Sequence, residues 1–205
     1  MRVAPMTAPN GLAGRVDAVV IGASAGGVEA LLAVLPALSA RLAVPVFVVV
    51  HLPRDRESLL VPLFGARCAV PVVEAEDKMP IAAGTIHFAP PDYHLLIERG
   101  PSLSLSADDP VNYSRPSIDV LFETAADVYR SRLAGVILTG ANADGAAGLE
   151  AVHRAGGIAI VQNPELAQVP TMPAAAQKRV AADYVLPLDG IAALLRTLDD
   201  IPAGR

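Results

Sequence analysis

Asp17-Ala18-Val19-Val20-Ile21-Gly22-Ala23-Ser24-Ala25-Gly26-Gly27 decides the fold. Its first half is a short apolar run without polar alternation, the pattern of a strand buried on both faces of a parallel sheet. Its second half is made of small residues suited to a sharp turn. The helix predicted by Val28-Glu29-Ala30-Leu31-Leu32-Ala33-Val34-Leu35 follows. Two more runs share this character. Val44-Pro45-Val46-Phe47-Val48-Val49-Val50 ends at His51, and Leu133-Ala134-Gly135-Val136-Ile137-Leu138-Thr139-Gly140 leads through a short loop to Asp144. Chemistry on open parallel sheets gathers beyond the carboxyl ends of the strands. The three runs therefore aim a serine, a histidine and an aspartate at one sheet edge. These are the types that make a nucleophile, its base and the group that orients the base.

Working outward, strands and helices alternate. Further strands are expected at 70–74, 158–161 and 184–186, and helices at 58–64, 118–130, 145–154, 174–181 and 190–198. Pro62 disfavours the first of these helices. The helix over 118–130 is expected to bury Val120, Leu121, Ala125 and Val128. Between 81 and 106 the character changes: 85–89 and 95–98 read as strands, 99–101 as a turn, and Leu103 and Leu105 alternate with serines, together an antiparallel hairpin attached to the sheet. The fold class is α/β, a doubly wound, mainly parallel sheet with helices on both faces and that hairpin. Residues 1–15, rich in Pro, Gly and Ala without periodicity, are expected to form a flexible N-terminal tail. Residues 16–205 make a single domain.

Composition bounds the function. Hydrophobic residues make up 53% of the chain, enough for a substantial core, and the 4% of aromatics leave that core to Ala, Val, Leu and Ile. Mean hydropathy is +0.45. The longest apolar stretch, 42–52, nevertheless holds Pro45 and His51 and falls short of the roughly 20 residues a spanning helix needs, so membrane insertion is not expected. Net charge is −5 and the 16 Lys and Arg are spread thinly, which argues against nucleic acid as a partner. The N-terminus has no secretory apolar region, and the lone Cys68 forms no internal disulfide. A cytoplasmic protein is expected.

Gly22-Ala23-Ser24-Ala25-Gly26 matches G-x-S-x-G, in which a strand-to-helix turn exposes the serine hydroxyl. The alternatives are a simple helix N-cap at Ser24 and a phosphate-binding turn, though the dinucleotide fingerprint needs glycine at position 24. His51 reads as the base or as a core histidine. Asp144 reads as the orienting carboxylate or as a helix cap. His87, His94 and His153 show no metal-ligand spacing, so no metal or cofactor is expected. Arg54 and Arg56 could flank the mouth of the site. The polar run Asn112-Tyr113-Ser114-Arg115-Pro116-Ser117 lines a site or caps the next helix.

Several ordered stretches resemble the catalytic domain of the chemotaxis protein-glutamate methylesterases. They are V-V-I-G-A-S-A-G-G at 19–27, V-V-V-H-L-P at 48–53, and E-A-E-D-K-M-P-I-A-A-G-T-I-H-F-A-P-P-D-Y-H-L at 74–95. R-P-S-I-D-V-L-F at 115–122, G-V-I-L-T-G with D-G-A-A-G-L over 135–149, and M-P-A-A-A at 172–176 complete the set. The resemblance implies an α/β hydrolase that removes methyl groups from glutamate γ-methyl esters on the cytoplasmic helices of chemoreceptors. Receptor glutamine deamidation by the same residues is an alternative, and a signalling scaffold with weak catalysis is another. It places the catalytic serine, histidine and aspartate on Ser24, His51 and Asp144, with Ala25, Gly26, Ala141, Asn142 and Met172 near substrate or oxyanion. Two departures stand out. The family usually has threonine at the position of Ala25, and it reads T-G-M-G-x-D-G where this chain reads T-G-A-N-A-D-G. Members typically carry an N-terminal receiver domain, and none precedes Val16 here. Either a free-standing esterase domain or an excised fragment is expected, Met1 favouring the former, and a separate regulatory protein is a further candidate partner.

Overall fold

The computed structural model describes residues 11–52, 58–100 and 102–199. Each apolar run becomes a strand whose side chains alternate between two cores. Nine strands and six α-helices are described. The strands are β1 (Ala18–Ala23), β2 (Val46–Val50), β3 (Val72–Glu74), β4 (Ile86–Phe88), β5 (His94–Ile97), β6 (Leu103–Ser106), β7 (Leu133–Ile137), β8 (Ile158–Gln162) and β9 (Tyr184–Leu186). The helices are α1 (Gly27–Val34), α2 (Leu60–Gly65), α3 (Ile118–Tyr129), α4 (Ala146–Arg154), α5 (Thr171–Arg179) and α6 (Leu188–Arg196). Seven strands form one parallel sheet in the order β3-β4-β2-β1-β7-β8-β9, while β5 and β6 pair antiparallel as a separate sheet.

Val19, Ile21 and Ala23 of β1 pack with Leu31 and Val34 of α1 and with Ile191, Leu194 and Leu195 of α6. Their neighbours Ala18 and Val20 pack on the opposite face, with α3, α4 and α5. Burying a Val, Leu or Ile side chain contributes about 1.5–3 kcal/mol, so the two layers supply most of the driving force. The β5–β6 hairpin lies over α3, where the Thr124 hydroxyl accepts a hydrogen bond from Ile97 N at 3.2 Å.

The structure revises several sequence expectations. The hairpin is not bonded to the parallel sheet, and the 85–89 run joins that sheet as β4, between β2 and β3. On α3 the buried face is Ile118, Leu121, Phe122, Ala125 and Ala126, while Val120 and Val128 are half-buried. Both α2 and α5 tolerate a proline, Pro62 and Pro173, because each is the third residue of its helix. There the missing N–H is one of the four that have no partner within a helix. The boundary at residue 15 moves as well. Leu12 is fully buried, its N–H donates to the Thr197 hydroxyl at 2.8 Å, and residues 11–15 form a turn against the end of α6.

Candidate active site

Strand order reverses between β1 and β7: β1 leads to β2 on one side, and β7 leads to β8 on the other. At such a switch point the loops diverge and leave a crevice beyond the carboxyl ends of the strands. Ser24 follows β1 directly, and its N–H donates to Thr139 O at 2.9 Å, tying the ends of the two central strands together. His51 follows β2, with its N–H on Ala23 O at 3.1 Å. Asp144 lies in the loop between β7 and α4.

The three side chains form one series. His51 Nδ1 is 3.2 Å from Ser24 Oγ, and His51 Nε2 is 2.9 Å from Asp144 Oδ2. Turning the ring by 180° would put carbon atoms at both positions, so the two partners fix its orientation. With Nε2–H donating to the carboxylate, Nδ1 presents a lone pair to the serine hydroxyl.

Asp144 is completely buried, yet its surroundings favour the charged form. Burial is the largest single influence and raises its pKa. Hydrogen bonds from His51, Asn112, Ile118 N and Ser117 together outweigh burial and leave the carboxyl below its ordinary value. Oδ2 accepts from His51 Nε2 and, at 2.7 Å, from Ile118 N. Oδ1 accepts from Ser117 Oγ at 2.8 Å, Asn112 Nδ2 at 3.0 Å and Asp119 N at 3.2 Å. Ile118 and Asp119 open α3, and Ser117 is its N-cap residue. The carboxylate thus occupies the helix N-terminus, where unpaired N–H groups and the positive dipole end favour negative charge.

Sequence reading left the supporting residues undecided or missed them. Of the polar run 112–117, Asn112 and Ser117 both line the site and serve the next helix. His94, set aside as a weak candidate, is buried. It accepts from Ser117 N through Nδ1 at 3.1 Å and donates through Nε2 to Asp109 O at 3.1 Å, a pair that requires the neutral ring. Asp119 accepts from Gly148 N and, at 2.7 Å, from Asn112 Nδ2. Burial pushes its pKa up; the Gly148 N–H opposes this, and the nearby Asp144 charge reinforces it. One amide therefore bridges two buried carboxylates. Only a three-dimensional contact reveals this, because Asn112 and Asp144 are 32 positions apart.

The residues expected beside the triad divide. Ala25 and Ala141 are exposed, and Gly26 sits at φ 74°, a left-handed conformation that glycine adopts without strain, at the start of α1. Asn142 accepts from Asp144 N at 3.2 Å through Oδ1 and so fastens the loop locally. Met172 is fully buried against Gly140, with its N–H on Gly140 O at 2.9 Å, and it supports the loop from beneath. Gly22 is needed for close approach, since a Cβ there would collide with Ile118. Arg54 and Arg56 lie outside the described residues. No helix among the described residues is long and apolar enough to cross a membrane.

A doubly wound parallel sheet carrying a serine, a histidine and a carboxylate in hydrogen-bonded series at its switch point is the architecture of an α/β serine-hydrolase domain. The chain belongs to the CheB methylesterase family, whose profile matches residues 19–195. It is 34% identical to the CheB methylesterase catalytic domain of Thermotoga maritima, whose crystal structure superposes with a TM-score of 0.85 over 89% of this chain and 98% of that one. A Caulobacter vibrioides relative named protein-glutamate methylesterase/protein-glutamine glutaminase 2 is 37% identical over 183 residues, 87% of this chain and 53% of that protein. A Leptospira interrogans protein, provisionally given the same paired name, is 45% identical over 183 residues, 89% of this chain and 95% of that one.

Proposed function

We propose that the protein is a serine hydrolase that cleaves γ-methyl esters of glutamate side chains on the cytoplasmic helices of chemoreceptors, releasing methanol. The observation that carries this reading is the Ser24–His51–Asp144 series within a chain of the CheB methylesterase family. Ser24 Oγ attacks the ester carbonyl while its proton passes to His51 Nδ1. The imidazolium that forms keeps Nε2–H on Asp144, whose five hydrogen bonds hold it ionised and in place. The tetrahedral intermediate then expels methoxide, which takes the Nδ1 proton and leaves as methanol, with the glutamyl group esterified to Ser24. Water attacks this acyl-enzyme and gives one proton to Nδ1; collapse returns that proton to the Ser24 oxygen and frees the glutamic acid, which ionises to the carboxylate by releasing its remaining proton to solvent.

Backbone N–H groups of Ala25 and Gly26, beside the serine, have no protein acceptor among the described residues. They are the candidate donors to the oxyanion. The paired names of the relatives support a second substrate for the same steps, a glutamine side chain whose amide leaves as ammonia. A cytoplasmic site of action follows from that choice of substrate. The test is to incubate the protein with membranes carrying radiolabelled, methyl-esterified chemoreceptor and to count volatile methanol. Release by the wild type and none by Ser24→Ala is the expected result; equal release by both would overturn the assignment.

A further inference from the structure

Val111 and Ser114 exchange both backbone hydrogen bonds, at 3.1 and 2.9 Å, around a two-residue turn made by Asn112 and Tyr113. Both central residues have positive φ, 51° and 62°. Such turns favour asparagine followed by glycine. Asn112 fits this rule and its amide holds two carboxylates. Tyr113 breaks it twice. It carries a Cβ at positive φ, and its side chain is 100% exposed, so no packing offsets the unfavourable backbone. For the turn alone, glycine would serve better. A residue that violates local preference without a structural return marks function.

The position of the turn says which function. Asn112 Nδ2 donates to Asp144 Oδ1 at 3.0 Å, and Asn142 Nδ2 donates to Ser114 Oγ at 3.5 Å. The turn is thus fastened on both sides of Tyr113 to the loop that carries the triad carboxylate. Val111, beside it in the turn, is itself 37% exposed. Tyrosine is a favoured interface anchor because it offers large, rigid area and loses little side-chain entropy.

We propose that Tyr113 is a docking residue for the polypeptide that carries the ester, its ring packing on an apolar side chain next to the esterified glutamate. This rests on the reading that the substrate is a protein. The turn would link docking to chemistry, since the residue preceding the ring is bonded to Asp144.

The probe is a soluble, methyl-esterified chemoreceptor cytoplasmic fragment, and its affinity is measured for full-length Ser24→Ala protein, which binds without turnover. Adding Tyr113→Gly is expected to weaken binding about thirtyfold, the lower edge of an interface hot spot. Tyr113→Phe, which keeps the ring, is expected to stay within about twofold. Tm should be unchanged or slightly higher for Tyr113→Gly, which excludes unfolding as the cause, and Tyr113→Asn, another residue tolerant of positive φ, should weaken binding likewise. An affinity unchanged by Tyr113→Gly, or no binding of the fragment by the Ser24→Ala parent, would overturn the proposal. So would a self-association of the wild type that Tyr113→Gly abolishes while fragment affinity is unchanged, because the ring would then cover a second copy. Methanol release by the wild type is scored separately. Release with Tyr113-insensitive binding defeats docking alone, and Tyr113-sensitive binding without release defeats the esterase reading alone.

Discussion

Ser24 and Asp144 stand at the two ends of one hydrogen-bonded series and are held in opposite ways. The serine is partly exposed, sits among small residues, and its hydroxyl meets His51 at 3.2 Å. The aspartate is fully buried and accepts five hydrogen bonds. In the proposed mechanism the difference follows from what each group must do. The nucleophile has to exchange a hydrogen bond for a covalent bond and back. The carboxylate has to remain ionised and still while the imidazole beside it gains and loses a proton.

The largest effect expected from breaking this contrast is at the loosely held end. Ser24→Ala should lower kcat for methanol release by roughly 10⁴–10⁶, the range for loss of a triad serine, and leave Tm unchanged because little packing is lost. Asp144→Asn should lower kcat by about 10⁴ and, unlike the serine variant, also lower Tm. Its amide nitrogen would face donors and leave buried N–H groups without an acceptor, at about 1–3 kcal/mol each. The folded-state pKa of Asp144 lies below its unfolded value of about 3.9. Its ionisation therefore stabilises the fold above about pH 4, and that contribution fades as pH falls through the lower folded value. The stability gap between wild type and Asp144→Asn should narrow correspondingly on acidification, which denaturant titrations at several pH values would measure.

Two further substitutions sharpen the comparison by reaching the aspartate through its support. Gly22→Ala should lower stability by about 1–3 kcal/mol and reduce kcat. The added methyl pushes on Ile118 and so displaces the helix end that binds the carboxylate. Urea denaturation together with the methanol assay checks both. His94→Ala should cost a similar amount of stability, about 1–3 kcal/mol from an unpaired Ser117 N–H, with the smallest loss of kcat of the four variants. His94→Asn, which can restore an acceptor near the Nδ1 position, should recover part of the loss in thermal melts and in kcat. Equal losses in the two variants would show that the contact to Ser117 is not what matters.

The convergence of Ser24, His51 and Asp144 was legible because buried parallel strands are written as continuous apolar runs, so the residue that ends each run is visible by eye. Ser24 and His51 follow their strands directly, and Asp144 is one short loop away. The environment of Asp144 was not legible, because Asn112, Ser117 and Ile118 reach it from 26 to 32 positions away. Contacts of that kind leave no local period. The buried face of α3 was misjudged for a related reason. Ile118 and Phe122 are directed by the close approach of Gly22, Gly135 and Gly148, three glycines scattered over the chain. α5 starts at Thr171, ahead of the expected 174, because Pro173 fits the first turn, where its missing N–H has no helical partner to lose.

The strand order has a consequence for how the molecule could be divided. A cut in the β5–β6 turn would leave β1, β2, β3, β4 and β5 on one fragment, with Ser24 and His51. The other fragment would keep β6 through β9 and Asp144. The two fragments share the β1–β7 pairing at the centre of the sheet. Neither holds a full triad, so hydrolysis by a mixture of the two would begin only when β7 zips alongside β1, and ester turnover would serve as a clock for reassembly of the sheet.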